Sequence, residues 1–282
     1  MNLVTVRVIE NVGAGFKPAR TLLMCPPDYF EISYEINPWM STKRQADKAK
    51  AREEWNAYHK LLTEKLKVQV ELLKPVEGLP DMVFTANGGL VWDHNFIVSN
   101  FRYEVRRVEA AHFEEWFRHR GFNVTRLPPE LYFEGEGDLL RCSDTWFAGY
   151  HIRSDILAHH KVADIIEQEI LSLELTDDWF YHLDTCFCPL GNGRALYYPP
   201  AFDGYARTVL HNRVSQLIAV SYDEAARFAC NAIVVGDSVV MNDGCPKVRE
   251  QLESLGLTVF ETPLSEFLKA GGSAKCLVLI IG

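Results

Sequence analysis

The sequence predicts an α/β fold in which a strand, strand, helix, strand unit is repeated around a ring. Two stretches of the chain, 113–128 and 248–263, follow the same order: an amphipathic helix, a glycine, a short strand and a proline. The glycines that end the two helices, Gly121 and Gly256, are 135 residues apart, and so are the two prolines. Such a repeat indicates units that share one core, because a single unit cannot bury its own apolar face.

The remaining elements fit this plan in chain order. Residues 41–66 carry charges on most turns and apolar residues on one side, which predicts an outer helix capped by Ser41 or Thr42. Two apolar runs split by polar turn residues precede each repeated helix, at 89–99 and 232–241, and predict hairpins. A Gly-rich turn and another apolar strand follow each proline.

Between the two copies, residues 149–182 predict a third, less regular copy whose helix spans 162–173. Since a return strand recurs after each helix, a ring of these units with helices outside explains the pattern more simply than an open doubly wound sheet does. Strand ends then converge on a central axis. His159 and His160 are interpreted as solvated surface residues at the end of a loop.

Length allows one large domain or two ordinary ones, and we expect one globular domain over residues 1–282. The chain is 48% hydrophobic and 12% aromatic, which is enough for a large core. Its seven cysteines are an odd number scattered along the chain, and we expect reduced thiols, a cytoplasmic location, no leader segment and no membrane span. Gly13-Ala14-Gly15 lacks the third glycine of a dinucleotide loop and is interpreted as a turn, so no cofactor is expected.

The net charge of −9 argues against a nucleic-acid partner, since phosphate neutralisation needs clustered Lys and Arg. An acidic protein can still bind a small cationic molecule as its partner. Cys186 and Cys188 alternate around Phe187 without the spacing of a metal site, so no metal is predicted. Association into a homo-oligomer is left open by the sequence.

Cys276 is the candidate nucleophile. It follows a tight Gly271-Gly272-Ser273-Ala274-Lys275 segment and precedes the apolar run 277–281, so its thiol is held rigidly but can be reached from the turn side. Such a thiol needs a base and carboxylates from elsewhere in the chain. Glu134 lies six residues after its repeat's proline and Gly271 lies eight after the other, so pseudo-symmetry brings both to the axis.

Four motifs in this order resemble the amidinotransferase and dimethylarginine dimethylaminohydrolase superfamily. They are Phe84-Thr85-Ala86-Asn87, Phe133-Glu134-Gly135-x-Gly137-Asp138, His182-Leu183-Asp184-Thr185 and Gly271-Gly272-x-x-Lys275-Cys276. The resemblance covers nearly the whole chain and implies the pentein fold, an α/β propeller with a pseudo-fivefold ring of ββαβ repeats, helices outside and an axial active site. Within the superfamily the chain looks most like the catalytic domain of the arginine dihydrolases.

The resemblance implies covalent catalysis on a guanidino group. Cys276 would attack the guanidinium carbon and form a thiouronium, which splits a difficult hydrolysis into two steps. His182 would protonate the departing amine and then deprotonate water. Glu134 would orient His182 and, together with Asp184, bind the guanidinium N–H groups.

Asn87 stands where the similar deiminases and dimethylarginine hydrolases carry Asp. A carboxylate there repels the carbonyl oxygen of a neutral ureido product, whereas an amide can donate to that oxygen and also accept from N–H. Citrulline could therefore stay bound and be attacked again, giving ornithine, a second ammonia and carbon dioxide. This substitution favours an arginine dihydrolase over a deiminase or dimethylargininase that stops at citrulline.

Recognition of the amino-acid end of the substrate rests on the resemblance alone. Arg106 and Arg153 match positions that bind a carboxylate in similar enzymes, and Asn37 could take the α-amino or carboxylate group. A surface ion pair is an equal alternative for Arg106. Phe84 and Asp138 of the quoted motifs are also expected to bind substrate. An amidinotransferase and a non-catalytic arginine-binding protein remain as further alternatives.

Overall fold

The computed structural model describes residues 21–282, so the turn expected at 13–15 lies outside the described residues. The described chain contains fifteen strands, which pair into five three-stranded sheets. The strands are β1 Thr21–Met24, β2 Gln69–Leu72, β3 Gly89–Trp92, β4 Asn95–Val98, β5 Asn123–Arg126, β6 Leu139–Cys142, β7 Thr145–Tyr150, β8 Ile170–Glu174, β9 Phe187–Gly191, β10 Arg194–Tyr197, β11 Gln216–Ala219, β12 Ile233–Val235, β13 Ser238–Asn242, β14 Thr258–Thr262 and β15 Leu279–Ile280.

Helices follow the second strand of each unit or lie in the connections. They are α1 Lys48–Lys60, α2 Glu104–Arg107, α3 Glu109–His119, α4 Ile156–Ile166, α5 Leu183–Cys186, α6 Gly204–Arg213, α7 Tyr222–Ala225, α8 Pro246–Ser254 and α9 Ser265–Leu268. Short 3₁₀ turns cover Pro80–Val83, Thr85–Gly88, Gly135–Gly137, Asp178–Phe180 and Pro199–Ala201, and a π-helical turn covers Leu61–Lys65. Within this described part, no helix is long and apolar enough to cross a membrane.

Each sheet is built in the same way. An antiparallel hairpin comes first, and a third strand then pairs in parallel with the second strand after an intervening helix, as in β3, β4, α3 and β5. Four hairpins turn through two residues, and the first of these has a positive φ in every case: Asp93, Ser143, Asn192 and Gly236. These are residue types that adopt the left-handed region at low cost or serve in turns, so the local sequence fixes the hairpins.

The fifth sheet closes the ring because it takes strands from both ends of the described chain. β1 pairs antiparallel with β15, with Leu22 opposite Ile280, and parallel with β2, with Thr21 opposite Gln69. The predicted ring of repeated units is therefore confirmed, and it contains five units where the sequence displayed two clear copies and one irregular copy.

The five connections that lead into the first strand of each sheet are buried and meet one another. The backbone N–H of Ala86, before β3, donates to the carbonyl of Cys276, before β15, at 3.2 Å. Gly135, before β6, has a φ of +60°, and a Cβ there would lie 2.4 Å from the carbonyl oxygen of Gly89. Only glycine permits this approach, since both the backbone conformation and the space exclude a side chain.

Three sequence expectations about individual elements are wrong. The helix predicted over 162–173 lies at Ile156–Ile166 as α4, and the strand β8 occupies Ile170–Glu174. The outer helix α1 begins at Lys48 rather than near Ser41, because the carboxylate of Asp47 caps it by accepting from the N–H groups of Ala49 and Lys50 at 2.9 and 3.0 Å. His159 is buried within α4 rather than solvated, and its Nδ1 lies 2.8 Å from the hydroxyl of Ser172. Burial lowers the pKa of His159 to about 4, so its ring is neutral at pH 7.

Glu54 links the first outer helix to the last unit and so helps to hold the ring closed. Its buried carboxylate accepts from the N–H and hydroxyl of Ser265 at 3.1 and 2.6 Å, and from the N–H of Glu266 at 2.9 Å. These donors lie at the start of α9, where backbone N–H groups have no partner within the helix.

We expect Glu54→Ala to lower the free energy of unfolding by about 2 kcal/mol or more, because it leaves buried donors without an acceptor. Chemical denaturation monitored by circular dichroism measures this. Glu53→Ala is the matched control, since Glu53 is exposed on the same helix, and should change the free energy by no more than about 0.5 kcal/mol. Equal effects of the two substitutions would contradict this role.

Candidate active site

The connections before the five first strands bring the predicted site residues to one buried region. Cys276 is 2% exposed, His182 1%, Glu134 0%, Asp184 0% and Asn87 3%. Asn87 precedes β3, Glu134 precedes β6, His182 and Asp184 precede β9, and Cys276 precedes β15. Side chains from four separate units therefore share one place from which water is excluded.

Glu134 orients His182 and is itself held by a cation. His182 Nε2 lies 2.8 Å from Oε2 of Glu134, and Nη1 of Arg153 donates to the same oxygen at 3.0 Å. Burial alone would raise the pKa of Glu134, but Arg153 and His182 outweigh it and hold that pKa well below its usual range. Glu134 is thus an anion, and His182 Nε2 carries the proton that it donates to this carboxylate.

Asn87 faces the other ring nitrogen of His182, with Nδ2 3.5 Å from Nδ1. The orientation of the amide is fixed from behind, since Nη1 of Arg106 donates to Oδ1 of Asn87 at 3.0 Å. A guanidinium has no acceptor, so the amide oxygen must face Arg106 and the amide N–H groups must face His182. Nδ1 of His182 is therefore the nitrogen free to accept and return a proton.

Gly137 makes this pairing possible. A Cβ at position 137 would lie 2.4 Å from Nδ2 of Asn87 and 3.3 Å from Nδ1 of His182. Because the side chains of Asn87 and His182 fill this space, no residue with a side chain fits at position 137.

Cys276 contacts a carboxylate. Its Sγ lies 3.3 Å from Oδ2 of Asp184, and Oδ1 of Asp184 is buried without a hydrogen-bond partner. Burial raises the pKa of Asp184 to about 7, although the nearby Lys275 ammonium opposes the rise. Burial first and Asp184 second raise the pKa of the Cys276 thiol well above its usual value. Burial therefore favours the neutral form of both groups, and a cation beside them would favour their ionisation.

Reasoning from the sequence missed Asn231 and gave no role to Lys275, although a quoted motif contains it, or to Glu136. Asn231 donates from Nδ2 to Sγ of Cys276 at 3.0 Å, and Nζ of Lys275 donates to Oε2 of the buried Glu136 at 2.9 Å. Asn231 precedes β12, so it occupies in its unit the place that Asn87 occupies before β3. That position in the repeat was the signal that could have identified it.

The remaining predicted residues support the site from its edges. Arg106 is 3% exposed and pairs with both carboxylate oxygens of Glu109, at 3.0 and 2.8 Å, so the alternative of a surface ion pair is wrong. Arg153 donates from Nη2 to the carbonyl of Ile36 at 2.9 Å and lies between the rings of Tyr103 and Tyr181. A direct contact of either arginine with a substrate carboxylate stays a prediction.

Asp138 and Phe84 shape the segments that carry other groups. Asp138 accepts from the N–H of Leu183 at 3.1 Å and from the hydroxyl of Ser154 at 2.6 Å, and so positions the chain beside His182. Burial raises its pKa to about 6. Phe84 packs against Gly272, where a Cβ would lie 2.3 Å from its ring.

The segment 34–45 lies against the residues around the site. Asn37 donates from Nδ2 to the carbonyl of Ala270 at 3.1 Å and accepts on Oδ1 from the N–H of Trp39 at 2.9 Å. The indole N–H of Trp39 donates to the carbonyl of Trp179 at 2.7 Å, and its ring packs on Phe228. Asn37 therefore has partners on both ends of its amide, and substrate binding by this residue stays a prediction.

The arrangement suits nucleophilic catalysis on a small cation. A thiol, an imidazole held in one tautomer, one firmly ionised carboxylate and one carboxylate of raised pKa lie together in a buried region. Among residues 21–282, no group of three or more His, Cys, Asp or Glu side chains could hold a metal ion.

Comparisons with known proteins agree with this chemistry. The sequence profile described as N,N dimethylarginine dimethylhydrolase, eukaryotic, matches residues 27–281. The bifunctional arginine dihydrolase/ornithine cyclodeaminase ArgZ of a Synechocystis species is 46% identical over 263 residues, which cover 92% of this chain and 37% of that protein. The N(G),N(G)-dimethylarginine dimethylaminohydrolase of Mycobacterium tuberculosis is 36% identical over 262 residues, which cover 93% of this chain and 86% of that protein.

Solved structures give the same result. The N-terminal domain of ArgZ, as a cysteine-to-serine variant bound to substrate, has a TM-score of 0.89 at 45% identity, and the match covers 93% of this chain and 98% of that one. A dimethylarginine dimethylaminohydrolase adduct has a TM-score of 0.77 at 24% identity and shares the fold. The chain spans about 37% of the length of full ArgZ. The five-unit ring is thus the pentein fold, and the chain belongs to the N,N-dimethylarginine dimethylhydrolase family.

Proposed function

We propose that this chain hydrolyses the guanidino group of arginine to give ornithine, two ammonia and carbon dioxide. The observation that carries the proposal is that the same buried region contains a Cys276 thiol paired with Asp184 and an amide, Asn87, whose N–H groups are fixed toward His182 by Arg106. The name and bound substrate of the ArgZ domain support the same reaction.

The substrate itself activates the nucleophile. Asp184 leaves one buried oxygen unpartnered, and burial and Asp184 raise the pKa of the Cys276 thiol. A guanidinium that donates to Asp184 supplies the missing positive charge, which lowers the pKa of the carboxyl and of the thiol together. Only the arginine complex then holds a thiolate beside the carbon that it attacks.

The first half of the reaction gives citrulline. As the Cys276 thiol ionises, its proton passes to Nδ1 of His182. The thiolate forms a C–S bond to the guanidinium carbon, and a C–N bond breaks as the departing nitrogen takes that proton from His182 and leaves as ammonia. His182 Nδ1 then accepts a proton from water, whose oxygen attacks the thiouronium carbon. The C–S bond breaks, the sulfur leaves as thiolate and the ureido product remains.

The second half depends on Asn87. Its N–H groups can donate to the ureido oxygen of citrulline and stabilise the charge that grows there when Cys276 attacks again. The second ammonia leaves with a proton from His182, and a thiocarbamate remains on the sulfur. Water breaks this C–S bond, and the carbamate formed loses carbon dioxide to give ornithine.

The proposal also covers the extent of the domain, its partners and its location. We infer that residues 1–282 act as one catalytic domain, that the partner is a small guanidino molecule, and that no cofactor takes part. A cytoplasmic location and assembly into a homo-oligomer are further parts of this proposal. Binding of the substrate carboxylate by Arg106 or Arg153 rests on the resemblance alone, because in this structure the two arginines pair with the buried carboxylates of Glu109 and Glu134.

A dimethylargininase that releases citrulline is the second candidate. The matching family profile and the mycobacterial relative favour it, because both carry that name. The two activities differ in products, and the carboxylate or amide at position 87 is the physical difference that we expect to decide between them.

The product count is the first test. We expect about two ammonia per arginine consumed, with ornithine as the amino-acid product, because citrulline remains bound for a second attack. Enzymatic ammonia determination and amino-acid chromatography on the same samples measure both. One ammonia per arginine with citrulline accumulation would instead establish a deiminase, and activity on dimethylarginine alone would establish the second candidate.

Asn87→Asp should stop the reaction at citrulline, because a carboxylate repels the ureido oxygen while it still binds the guanidinium. The ammonia count should fall toward one, and added citrulline should no longer be consumed. Asn242→Asp is the matched control, since Asn242 is a buried amide whose contacts are with Arg227, Asp243 and Leu264. An unchanged product mixture in Asn87→Asp would refute the role given to this amide.

Arginine binding should strengthen as pH rises, because Asp184 must be ionised to receive the guanidinium. In a Cys276→Ser variant that cannot turn over, we expect the Kd for arginine to fall by up to about tenfold per pH unit below a pH of about 7 and to level off above it. Isothermal titration calorimetry measures this. Adding Asp184→Asn should weaken binding and flatten the profile, and a flat profile without it would contradict the assignment.

A further inference from the structure

Asn231 is the centre of a hydrogen-bond cluster that holds the nucleophile. Its side chain is fully buried. Oδ1 accepts from the backbone N–H of Ser273 at 3.1 Å and of Cys276 at 3.2 Å. Nδ2 donates to the carbonyl of Asp184 at 3.1 Å and to Sγ of Cys276 at 3.0 Å. One amide therefore joins the nucleophile's backbone, its sulfur and the segment that carries Asp184.

The direction of this amide is determined by its neighbours. The N–H groups of Ser273 and Cys276 can only donate, and the carbonyl of Asp184 can only accept. Rotation of the amide by 180° would break all three hydrogen bonds, so the N–H group must point at the sulfur. Within the described residues, Asn231 is the one side-chain donor that reaches Sγ of Cys276.

The position of Asn231 in the ring is a second, independent observation. Asn231 stands two residues before β12, as Asn87 stands two residues before β3. The other connections at this level contribute Glu134, His182 with Asp184, and Cys276. Asn231 is thus the contribution of the fourth unit to a site to which each of the other four units supplies a reacting or binding group.

We propose that Asn231 is a further catalytic residue, whose amide N–H stabilises the Cys276 thiolate while its amide oxygen fixes the loop that presents the sulfur. The inference rests on the proposed function only in treating Cys276 as the nucleophile. The hydrogen bond from Nδ2 of Asn231 to the sulfur strengthens when the sulfur becomes negatively charged, since hydrogen bonds to ionised groups are stronger than neutral ones.

The other charged or titratable groups around the sulfur do not supply this contact. Asp184 faces it at 3.3 Å and opposes its ionisation, and Tyr58 and Tyr181 lie near it with their own hydroxyls donating to the carbonyls of Ala274 and Gly271. Lys275 directs its ammonium to Glu136. The backbone of Ser273 and the side chain of Asn231 both lower the pKa of the Cys276 thiol. Asn231 is therefore the side chain expected to adjust how easily the free enzyme forms its thiolate.

The test is the pH dependence of alkylation of Cys276 by iodoacetamide, a neutral reagent that needs no arginine. The rate is followed on the peptide containing Cys276 by mass spectrometry, between about pH 7 and about pH 11, because burial and Asp184 raise the pKa of this thiol above its usual value. Below the midpoint the rate is proportional to the thiolate fraction, so a raised midpoint also shows as a slower rate at every lower pH. Asn231→Asp keeps an oxygen for the two backbone donors but removes the N–H group, and Asn231→Ala removes the donor without adding charge. Both should raise the midpoint by about one pH unit or more, and slow alkylation near neutral pH by about tenfold.

Asn242→Asp and Asn242→Ala are the matched controls, because Asn242 also bridges backbone groups while buried and does not touch the sulfur. They should leave the midpoint unchanged. Circular dichroism and the unfolding midpoint verify that each variant is folded, and Asn231→Leu, which is similar in size and has no donor, replaces Asn231→Ala if the latter is not.

An unchanged midpoint in the neutral variant overturns the proposal. A shift in Asn231→Asp alone also overturns it, because that result assigns the effect to added charge rather than to the lost hydrogen bond. Since alkylation does not involve arginine, the outcome stands whether or not the chain hydrolyses it.

Discussion

The site depends on placing several ionisable groups in a region without water. A buried charge is tolerated only with a compensating charge and hydrogen bonds. The structure meets this requirement pair by pair: Arg153 compensates Glu134, Glu109 compensates Arg106, and Glu136 compensates Lys275. Each pair joins separate parts of the chain or braces one connection, so the geometry of the site and the closure of the ring are established together.

Asp184 differs from these carboxylates, because no cationic side chain pairs with it among the salt bridges of residues 21–282. One of its oxygens has no partner and the other meets the Cys276 sulfur. The nearby Lys275 ammonium is paired with Glu136 instead, so this is the point where a positively charged ligand gains most. In the proposed function, specificity for a guanidinium and activation of the thiol are two results of the same electrostatic imbalance.

Much of the fold and part of the site could be predicted from the sequence. The 135-residue repeat indicated the ring, and hairpin turns such as Asp93 and Gly236 are local signals that tertiary contacts do not override. The start of α1 was misplaced, because Asp47 rather than Ser41 satisfies its first N–H groups. Asn231 carries no local motif, and its importance is visible only from contacts with residues more than forty positions away.

The two asparagines explain how one site could act on a cation and then on a neutral product. Asn87 and Asn231 each have an oxygen occupied by fixed donors, the Arg106 guanidinium in one case and two backbone N–H groups in the other. Each therefore presents only N–H groups, to His182 and to the sulfur. Donors of this kind stabilise growing negative charge without repelling a neutral ureido group. In the proposed reaction, each of these amides stands beside a carboxylate on a shared group: Asn87 and Glu134 at His182, and Asn231 and Asp184 at the sulfur. The carboxylates would bind the cation, and the amides would stabilise the anions that form.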